Sequence, residues 1–474
     1  INRNMSAVRA NKQLLGTENR LSKSMKRLSS GYKINSAEDN PAGMAISNKM
    51  KAQIEALDQA KSNSSDAQNV MKIADGALGE VSSMLQRIRE LAVQGASDTY
   101  SENDKKALQS EIDELTKEVD RISGDTEYNT KSLLDGSSDT RVYVRQKDAN
   151  GNMTQVNSYI TRINFSDNVA SDKYELTVNS LATQATGSLA SATKPDAEGT
   201  ISINGVSVAV KADMTQDEYI QALQKAATTA GTTMQVNGDS ISFLSNEYGS
   251  DSTVNISLSS SLKALAGAGY ENADDGSGNM QLKSNGKDAV VTGGENLSDK
   301  TIRADGNRVY VVGNSGFSMD FLLSSDMDMT AGSSNLQIDI SDIGNMAVQI
   351  GANEGQEMKI RIPEVSSQTL YLDTVDVTVK GGADKAMSTL DEAIEYVSGV
   401  RSRIGAFQNR LESAESSLSE TSENMTGAYS NIMDTDMATE MTEYAAQNIL
   451  DQAGISVLSQ ANDLPQQVLS LLSR

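Results

Sequence analysis

The sequence predicts a multidomain α plus β protein: long helices from both termini form a discontinuous coiled-coil or bundle core, and a β-rich variable region is inserted between them. Residues 1–136 and 384–474 carry apolar residues at helical spacing, whereas residues 137–380 are rich in Gly, Ser, Thr, Asn and Val. The aromatic fraction is only 4% of the 474 residues, and Trp is absent. Because aromatic side chains fill deep cores, their scarcity favours long helices packed side by side.

The N-terminal arm is interrupted by a segment rich in turn residues, "RLSSGYKINSAEDNPAGMAI" from Arg27 to Ile46. Apolar residues at helical spacing precede it and follow it: Leu14, Leu21, Met25 and Leu28 before, and Ile46, Met50, Ile54 and Leu57 after. The pattern therefore predicts two helices joined by a bend.

Within this bend, Ser29, Ser30 and Gly31 are expected to end the first helix. A residue that precedes proline is pushed away from the α region, so the Asn40-Pro41 step disfavours helix at Asn40. Ser36 or Asp39 is the candidate cap of the second helix.

Later parts of both arms have the apolar repeat of helices that pack against other helices. In the C-terminal arm, steps of three and four residues alternate over about six heptads. The positions are Leu390, Ala393, Val397, Val400, Ile404, Phe407, Leu411, Ala414, Leu418, Thr421, Met425, Ala428 and Ile432. The N-terminal arm has Leu78, Val81, Leu85, Ile88 and Leu91, followed by Leu108, Ile112, Leu115, Val119 and Ile122. The repeat predicts helical partners but does not name them, and an ordinary helical hairpin domain fits it equally well.

The two ends of the chain have opposite charges. Residues 1–33 contain eight basic residues and one acid, whereas residues 430–474 contain six acids and one base. Opposite charges favour pairing of the termini and help to set its register, although two separately solvated faces would have the same composition. Pro465 is compatible with a helix that restarts there. The same end has an apolar stripe of Leu450, Val457, Ala461, Leu464, Val468 and Leu471.

The middle region contains strand patterns with specific turn chemistry, and residues 200–258 predict a ββαββ module. "GTISINGVSVAV" predicts a hairpin that turns at Asn204-Gly205, and "MQVNGDSISF" predicts a second hairpin that turns at Asn237-Gly238. Between them, Thr215 and Glu218 form a capping-box pattern ahead of a short helix. Residues 335–362 predict two or three further strands.

Composition excludes several classes of function. The chain has no Cys and no His, which excludes disulfides and thiol nucleophiles and removes the commonest general base and metal ligand. A net charge of −23 argues against a nucleic-acid partner. No stretch approaches the ~18 apolar residues of a membrane span, so membrane insertion is not expected. "INRNMSAVRANKQLLG" lacks the apolar core of a signal peptide, so export is expected to proceed without a cleaved one.

Motifs that resemble ligand sites are weak. "GGADK" at 381–385 is too short to cradle a phosphate, and "NADDGSGN" lacks the twelve-residue ligand spacing and terminal Glu of an EF-hand. We therefore predict no catalytic, cofactor-binding or metal-ligating residue and no cofactor, and the chain is not expected to be an enzyme.

Both arms resemble bacterial flagellin over residues 1–136 and about 384–474. The N-terminal likeness runs through "RLSSGYKINSAEDNPAGMAI", "SNSSDAQNVMKIADGALGEVSSMLQRIRELAVQGAS" and "EIDELTKEVDRISGDTEYNTKSLLDG". The C-terminal likeness runs through "RSRIGAFQNRLESAESSL" and "MATEMTEYAAQNILDQAGISVLSQANDLPQQVLSLLSR". "VQIGANEGQEMKIRI" is similar to the hairpin that completes the core domain of short flagellins. Residues 200–258 are similar to a motif inserted in some flagellins and filament cap proteins.

The resemblance implies a structural subunit that is exported unfolded and polymerises into the extracellular flagellar filament, for motility. Its implied partners are further copies of itself, a flagellar export chaperone and the filament cap. Residues 1–42 with 431–474 would form the inner filament layer, 43–136 with 337–430 the helical core domain plus β-hairpin, and 137–336 the inserted outer region. The residues expected to mediate polymerisation are Leu14, Leu21, Leu28, Val457, Leu464, Val468 and Leu471.

The resemblance also implies recognition by the host Toll-like receptor for flagellin, through "QRIRELAVQ". The matching positions here are Arg87, Glu90, Leu91 and Gln94, with Glu111 on the neighbouring helix. An exposed Arg beside an apolar residue suits an interface hot spot, which favours Arg87. Leu91 also lies on the heptad seam, so core packing and receptor contact are equal alternatives for it.

Two other functions are compatible with parts of the chain. A hook–filament junction protein shares the terminal helices, and a secreted adhesin would display residues 137–336. The dense likeness across both arms, including "SVLSQANDLPQQVLSLL", favours the major filament subunit.

Overall fold

The structure, a computed structural model, describes residues 4–147, 153–166, 168–272, 278–329, 332–341 and 343–472. Its helices are α1 (Met5–Ser30), α2 (Pro41–Ala96), α3 (Glu102–Asp125), α4 (Gln216–Thr229), α5 (Gly382–Met433) and α6 (Met437–Leu472). Helices at both ends and strands between them confirm the predicted α plus β class. Among the described helices, none is both long enough and apolar enough to cross a membrane.

The strands of the described ranges lie between α3 and α5. They are β1 (Glu127–Tyr128), β2 (Lys131–Ser132), β3 (Arg141–Lys147), β4 (Met153–Gln155), β5 (Ile160–Phe165), β6 (Lys173–Ser180), β7 (Gln184–Leu189), β8 (Gly199–Ile203), β9 (Val206–Val210), β10 (Thr232–Asn237), β11 (Ser240–Tyr248), β12 (Thr253–Leu258), β13 (Glu271–Asn272), β14 (Met280–Asn285), β15 (Val290–Gly293), β16 (Thr301–Asp305), β17 (Arg308–Val312), β18 (Ser318–Leu323), β19 (Ser334–Ser341), β20 (Met346–Gln349) and β21 (Glu357–Ile360). Most of the acidic turn "NADDGSGN" lies outside the described residues.

The chain forms two compact units. The first comprises Ile1–Gln68, Val348–Met358 and Asn409–Arg474. The second comprises Asn69–Ala347 and Lys359–Gln408. Helices α2 and α5 contribute residues to both units.

The first unit contains α1, α6, the start of α2 and the end of α5. Leu57 and Ala60 of α2 form a small apolar cluster with Leu418 of α5, against which Ala352 packs. A polar contact lies beside this cluster: Lys61 Nζ donates a hydrogen bond to Ser419 Oγ at 3.1 Å. The apolar contact between α2 and α5 is therefore narrow here.

In the second unit, the predicted seams of α2 and α5 are buried together with α3. Fully or almost fully buried side chains are Leu78, Val81, Leu85, Ile88 and Leu91 on α2, Ile112 and Val119 on α3, and Leu390, Val397, Val400 and Ile404 on α5. Helix α3 starts with a capping box, in which Ser101 N donates to Asp104 Oδ2 at 2.9 Å and Asp104 N donates to Ser101 Oγ at 3.3 Å.

Two sheets of the middle region pack into one sandwich. One sheet has the order β15-β6-β19-β3-β4 and the other β16-β17-β18-β5. Their apolar faces share one core, which includes Leu176, Ile338, Val309 and Phe321. Along β18, buried residues alternate with more exposed ones, which is the period-two pattern that produces such a face.

A smaller module, residues 183–287, is inserted into this sandwich, and its entry and exit pair directly because Thr183 N donates to Lys287 O at 2.9 Å. Its sheets have the orders β10-β11-β7 and β13-β14-β12-β8-β9. Helix α4 packs on their common core through Tyr219 and Leu223. Thr215 and Glu218 form the capping box of α4.

The two hairpins of the module turn differently. Asn204 and Gly205 form the first loop with φ of 44° and 79°, as a type I′ turn requires. In the second hairpin Asn237 pairs with Ser240, so Gly238 and Asp239 form the loop. The prediction of a turn at Asn237-Gly238 was therefore wrong by one residue. This register keeps Phe243 opposite Met234 on one face of the sheet.

Candidate functional site

The terminal helices α1 and α6 lie side by side and antiparallel. Asn4, just before α1, contacts Ala461 late in α6, whereas Ser24 near the end of α1 contacts Glu440 at the start of α6. Leu14, between these points, is 9% exposed. Pairing of the two oppositely charged ends is thus present within one chain.

A buried carboxylate connects the two helices at one end of the pair. Glu440 is 7% exposed, accepts a hydrogen bond from the Ser24 hydroxyl, and lies 3.6 Å from Arg27 Nη1. The start of a helix also carries partial positive charge, which favours a carboxylate there. Because a carboxylate this buried needs partners, the contact fixes the register of α1 on α6.

Asn4 makes a second cross-helix contact at the other end of the pair. Its Oδ1 accepts from Ala7 N at 3.2 Å, which caps α1, and its Nδ2 donates to Ala461 O at 2.7 Å. Pro465 lies four residues after Ala461 and has no N–H to donate to that carbonyl. Pro465 was compatible with a restarting helix, but helix α6 runs through it without a break. The Asn4 side chain replaces the missing donor.

Outside their mutual contact, α1 and α6 expose large apolar side chains among charged and polar ones. Their exposed large apolar side chains are Met5, Val8, Leu15, Met25, Met437, Met441, Ile449, Leu450, Ile455 and Val457, which are 47% to 67% exposed. Large apolar side chains exposed in this number on two neighbouring helices favour a protein interface there.

The residues predicted for polymerisation divide between these two environments. Leu14 is buried, Leu21 and Leu28 are half-buried, and Val457 is 55% exposed. Leu464, Val468 and Leu471 belong to α6, but their side chains lie outside the described part of the chain.

The bend after α1 is an ordered, hydrogen-bonded connection. Gly31 ends α1 with φ of 75°, a left-handed conformation that glycine adopts without strain, and its N–H donates to Arg27 O at 2.8 Å. The bend then pairs with the α5–α6 junction, where Lys33 N donates to Met433 O at 2.6 Å and Thr435 N to Gly31 O at 2.9 Å. The two inter-helix junctions therefore hold each other.

Asn40 caps α2, where Ser36 or Asp39 was the expected cap. Asn40 Oδ1 accepts from Gly43 N at 2.9 Å, and α2 starts at Pro41 as the proline rule predicts. Asp39 instead holds the bend, because its Oδ2 accepts from the backbone N–H groups of Asn35 and Ser36 at 3.1 Å. The Asn35 hydrogen bond contributes most to lowering the pKa of Asp39.

In the second unit, a charged ridge lies where α2 faces α3. Arg87 Nη2 is 2.7 Å from Glu111 Oε1, and Arg87 Nη1 is 3.1 Å from Glu90 Oε2. These side chains are 46%, 45% and 66% exposed in the order Arg87, Glu111, Glu90. The hydrogen bond to Glu111, followed by that to Glu90, raises the pKa of Arg87. In this ridge, the two carboxylates fix the position of the Arg87 guanidinium, which is exposed to solvent.

The remaining two predicted receptor residues are less accessible. Leu91 is 1% exposed and belongs to the core of the second unit, whereas Gln94 is half-buried. Burial favours the packing alternative for Leu91, because a buried side chain has no surface for a partner.

Sequence reasoning missed Asn4, Ser24 and Glu440 as individual site residues. Pro465 was the available signal for Asn4, since an interior proline leaves one carbonyl without its donor. Glu440 was counted in the charge balance, but charge alone did not identify its partner. Among the described residues, no group of three acids is arranged to hold a metal ion.

Comparison with known proteins assigns the chain to a family. The profile of the bacterial flagellin N-terminal helical region matches residues 1–139, and that of the C-terminal helical region matches residues 387–472. A flagellin from Clostridium tyrobutyricum is 32% identical over 473 residues, covering 98% of this chain and 100% of that protein. Flagellin D from Vibrio anguillarum is 28% identical over 472 residues, covering 100% and 99%.

Among solved structures, the flagellar hook associated protein-3 of Legionella pneumophila covers 81% of this chain and 98% of its own, at 15% identity. The TM-score of this match is 0.30. The assignment rests on the sequence comparisons, which match both helical arms and give 32% identity to a flagellin along nearly the whole chain. This chain therefore belongs to the bacterial flagellin family, the structural proteins of the flagellar filament.

Proposed function

We propose that α1 and α6 form the surface through which this flagellin polymerises. As a flagellin the chain is an extracellular structural component of the flagellum, which serves motility. The observation that carries the proposal is the set of ten exposed large apolar side chains on these two helices. A soluble subunit gains free energy by burying such surface against further copies of itself.

In the assembled filament, we assign residues 1–42 with 431–474 to the inner layer and residues 43–136 with 337–430 to the surrounding helical layer. Residues 137–336 would project outward. Contacts that join α1 and α6 to a different surface of the next copy are head-to-tail, and they generate a filament when the rotation between copies does not close a ring.

Seeded polymerisation of purified monomer, followed by negative-stain electron microscopy, tests the proposal. Val457→Asp should abolish elongation because it places a charge in the buried contact. Val312→Asp is the matched control, since Val312 on β17 is 54% exposed against 55% for Val457. Equal elongation of both variants would contradict the assignment of the surface.

Truncation tests the two layers separately. Removal of residues 1–40 or 435–474 should abolish filaments and leave the helical core of the second unit folded. Monomers or short capped rods from the intact chain would favour the junction protein. Binding to a host surface by residues 137–336 without polymerisation would favour the adhesin.

Recognition by the host Toll-like receptor is a second proposed role, supported by the exposed Arg87–Glu111–Glu90 ridge. Arg87→Glu should weaken receptor binding strongly. Its matched control is Arg121→Glu, which also reverses an exposed, ion-paired Arg on this helical core. Because exposed ion pairs contribute only ~0–1 kcal/mol, both variants should stay folded. Equal receptor affinity of the two variants would contradict this role.

Export is proposed to use an unfolded chain, a flagellar export chaperone that covers the terminal helices, and the filament cap at the growing end. The absence of Cys suits this route, because an unfolded chain cannot then be cross-linked during passage.

A further inference from the structure

Exposed methionines are concentrated on the two terminal helices. In the described part of the chain five methionine side chains are exposed: Met5, Met25, Met437 and Met441 at 56%, 53%, 47% and 54%, and Met153 at 40%. Four of the five therefore belong to α1 and α6, and only Met153 lies in the sandwich. The other methionines are half-buried or buried, as Met71 is at 0%.

Each of these four methionines is close in sequence to a residue whose side chain joins the two helices. Met25 follows Ser24, and Met441 follows Glu440, whose side chains are hydrogen-bonded across the pair. Met437 starts α6, less than one turn before Glu440. Met5 follows Asn4, which donates to Ala461. Oxidation at these positions thus modifies the outward face without direct attack on the cross-helix contacts.

We propose that Met5, Met25, Met437 and Met441 form an oxidation-sensitive site through which peroxides block assembly of the free subunit. A peroxide transfers one oxygen atom to Sδ and leaves as water or alcohol. An S–O bond forms, the O–O bond breaks, and sulfur gives up two electrons to become the sulfoxide. The product is polar and reducible by methionine sulfoxide reductases A and B, one for each sulfoxide epimer.

The consequence for assembly follows from desolvation. A thioether packs well against apolar surface, whereas a sulfoxide oxygen is a strong acceptor that must find a donor when it is buried. When these positions are buried between copies, a sulfoxide oxygen loses its hydrogen bonds to water. This inference rests on the proposed function, because it requires those positions to be buried between copies.

The test uses full-length monomer treated with hydrogen peroxide, peptide mapping by mass spectrometry, and seeded elongation. Sulfoxide should appear first at the four terminal-helix methionines and at Met153, while Met71 stays reduced. Elongation should fall by at least about tenfold in step with the four sulfoxides, and treatment with both reductases should restore it. In filaments assembled before treatment, the four should be protected whereas Met153 is still oxidised.

A matched pair of variants isolates the site. The chain with Met5→Leu, Met25→Leu, Met437→Leu and Met441→Leu should elongate after peroxide treatment, whereas Met153→Leu should lose elongation as the unmodified chain does. The inference is overturned if the fourfold variant loses elongation equally, or if the chain elongates normally with all four fully oxidised. Should the fourfold variant fail to assemble untreated, rescue of the oxidised natural sequence by the reductases decides the question, and no rescue overturns the inference. Failure of untreated natural monomer to elongate would instead overturn the proposed function itself.

Discussion

The side-chain amide of Asn4 donates to the carbonyl of Ala461, the group that Pro465 deprives of its helical donor. The same side chain caps α1 through Ala7 N. One residue therefore satisfies an orphan donor of its own helix and an orphan acceptor of the other helix. Because the second bond spans 457 positions of sequence, it also defines which part of α6 lies beside the start of α1.

Asn4→Asp should separate these two roles. The carboxylate keeps the capping acceptor but cannot donate to Ala461, so pairing of the helix ends should weaken by about 1–3 kcal/mol through the unpaired carbonyl. Amide hydrogen exchange of α1 in the monomer measures this change. Pro465→Ala restores the helical donor, so the double variant should exchange more slowly than Asn4→Asp alone. A purely additive double-mutant cycle would contradict the coupling between Asn4 and Pro465.

Glu440 should be essential for the register of the terminal helices. Glu440→Ala leaves the buried Ser24 hydroxyl without its acceptor and Arg27 without its nearby carboxylate, which costs about 1–3 kcal/mol. Slower seeded elongation and a lower urea midpoint of α1–α6 unfolding are expected. Glu443→Ala, at an exposed position of the same helix, is the control and should change neither. Equal effects of the two substitutions would argue against a special role of the buried carboxylate.

Much of the fold follows from local patterns. Heptad spacing predicts helices in both arms, and the Asn40-Pro41 step predicts the start of α2, because both depend on residues close in sequence. The loop of the second hairpin was displaced by one residue because "NGD" contains both an Asn-Gly and a Gly-Asp turn signal. The strand register, in which Asn237 pairs with Ser240 and Met234 with Phe243, corresponds to the second signal.

The contacts of the candidate site are harder to predict from the sequence, because they join opposite ends of the chain. Opposite charges predict that the ends pair, but the individual partners Ser24 and Glu440 are 416 positions apart. Leu91 is a further example: the heptad places it on a seam, but only the folded structure shows that this side chain is buried. Local spacing specifies a face, and tertiary packing specifies what covers it.

Leu91 is expected to support the fold of the helical core and not to contact the receptor. Leu91→Ala removes a side chain that is 1% exposed, so it should cost about 2–5 kcal/mol of stability. The neighbouring Val93→Ala, at a position 48% exposed, is the matched control and should cost little. Thermal unfolding of both variants measures the difference. If the Leu91→Ala variant were stable and only its receptor binding were weakened, Leu91 would instead be a receptor-contact residue.

Alkaline pH should destabilise the inserted module through Tyr219. This side chain is fully buried, its hydroxyl has no hydrogen-bond partner, and burial raises the pKa of Tyr219 to about 12 from the ordinary value of 10.0. Between these pH values the unfolded chain loses the phenol proton and the folded chain keeps it. Its contribution to stability is therefore complete below pH 10 and is lost as the pH rises towards 12, by on the order of 2 kcal/mol.

Tyr219→Phe should remove this pH dependence without breaking a hydrogen bond. Urea unfolding of the module, followed by the methyl NMR signals of Leu223 in the same core, should show a shallower fall in the free energy of unfolding between pH 10 and 12. Tyr248→Phe provides the control, because Tyr248 is 41% exposed and its substitution should leave the pH dependence unchanged. The same slope in both variants would mean that other groups cause the alkaline loss. A shallower slope in Tyr219→Phe alone would show that desolvation of one phenol makes the module sensitive to base.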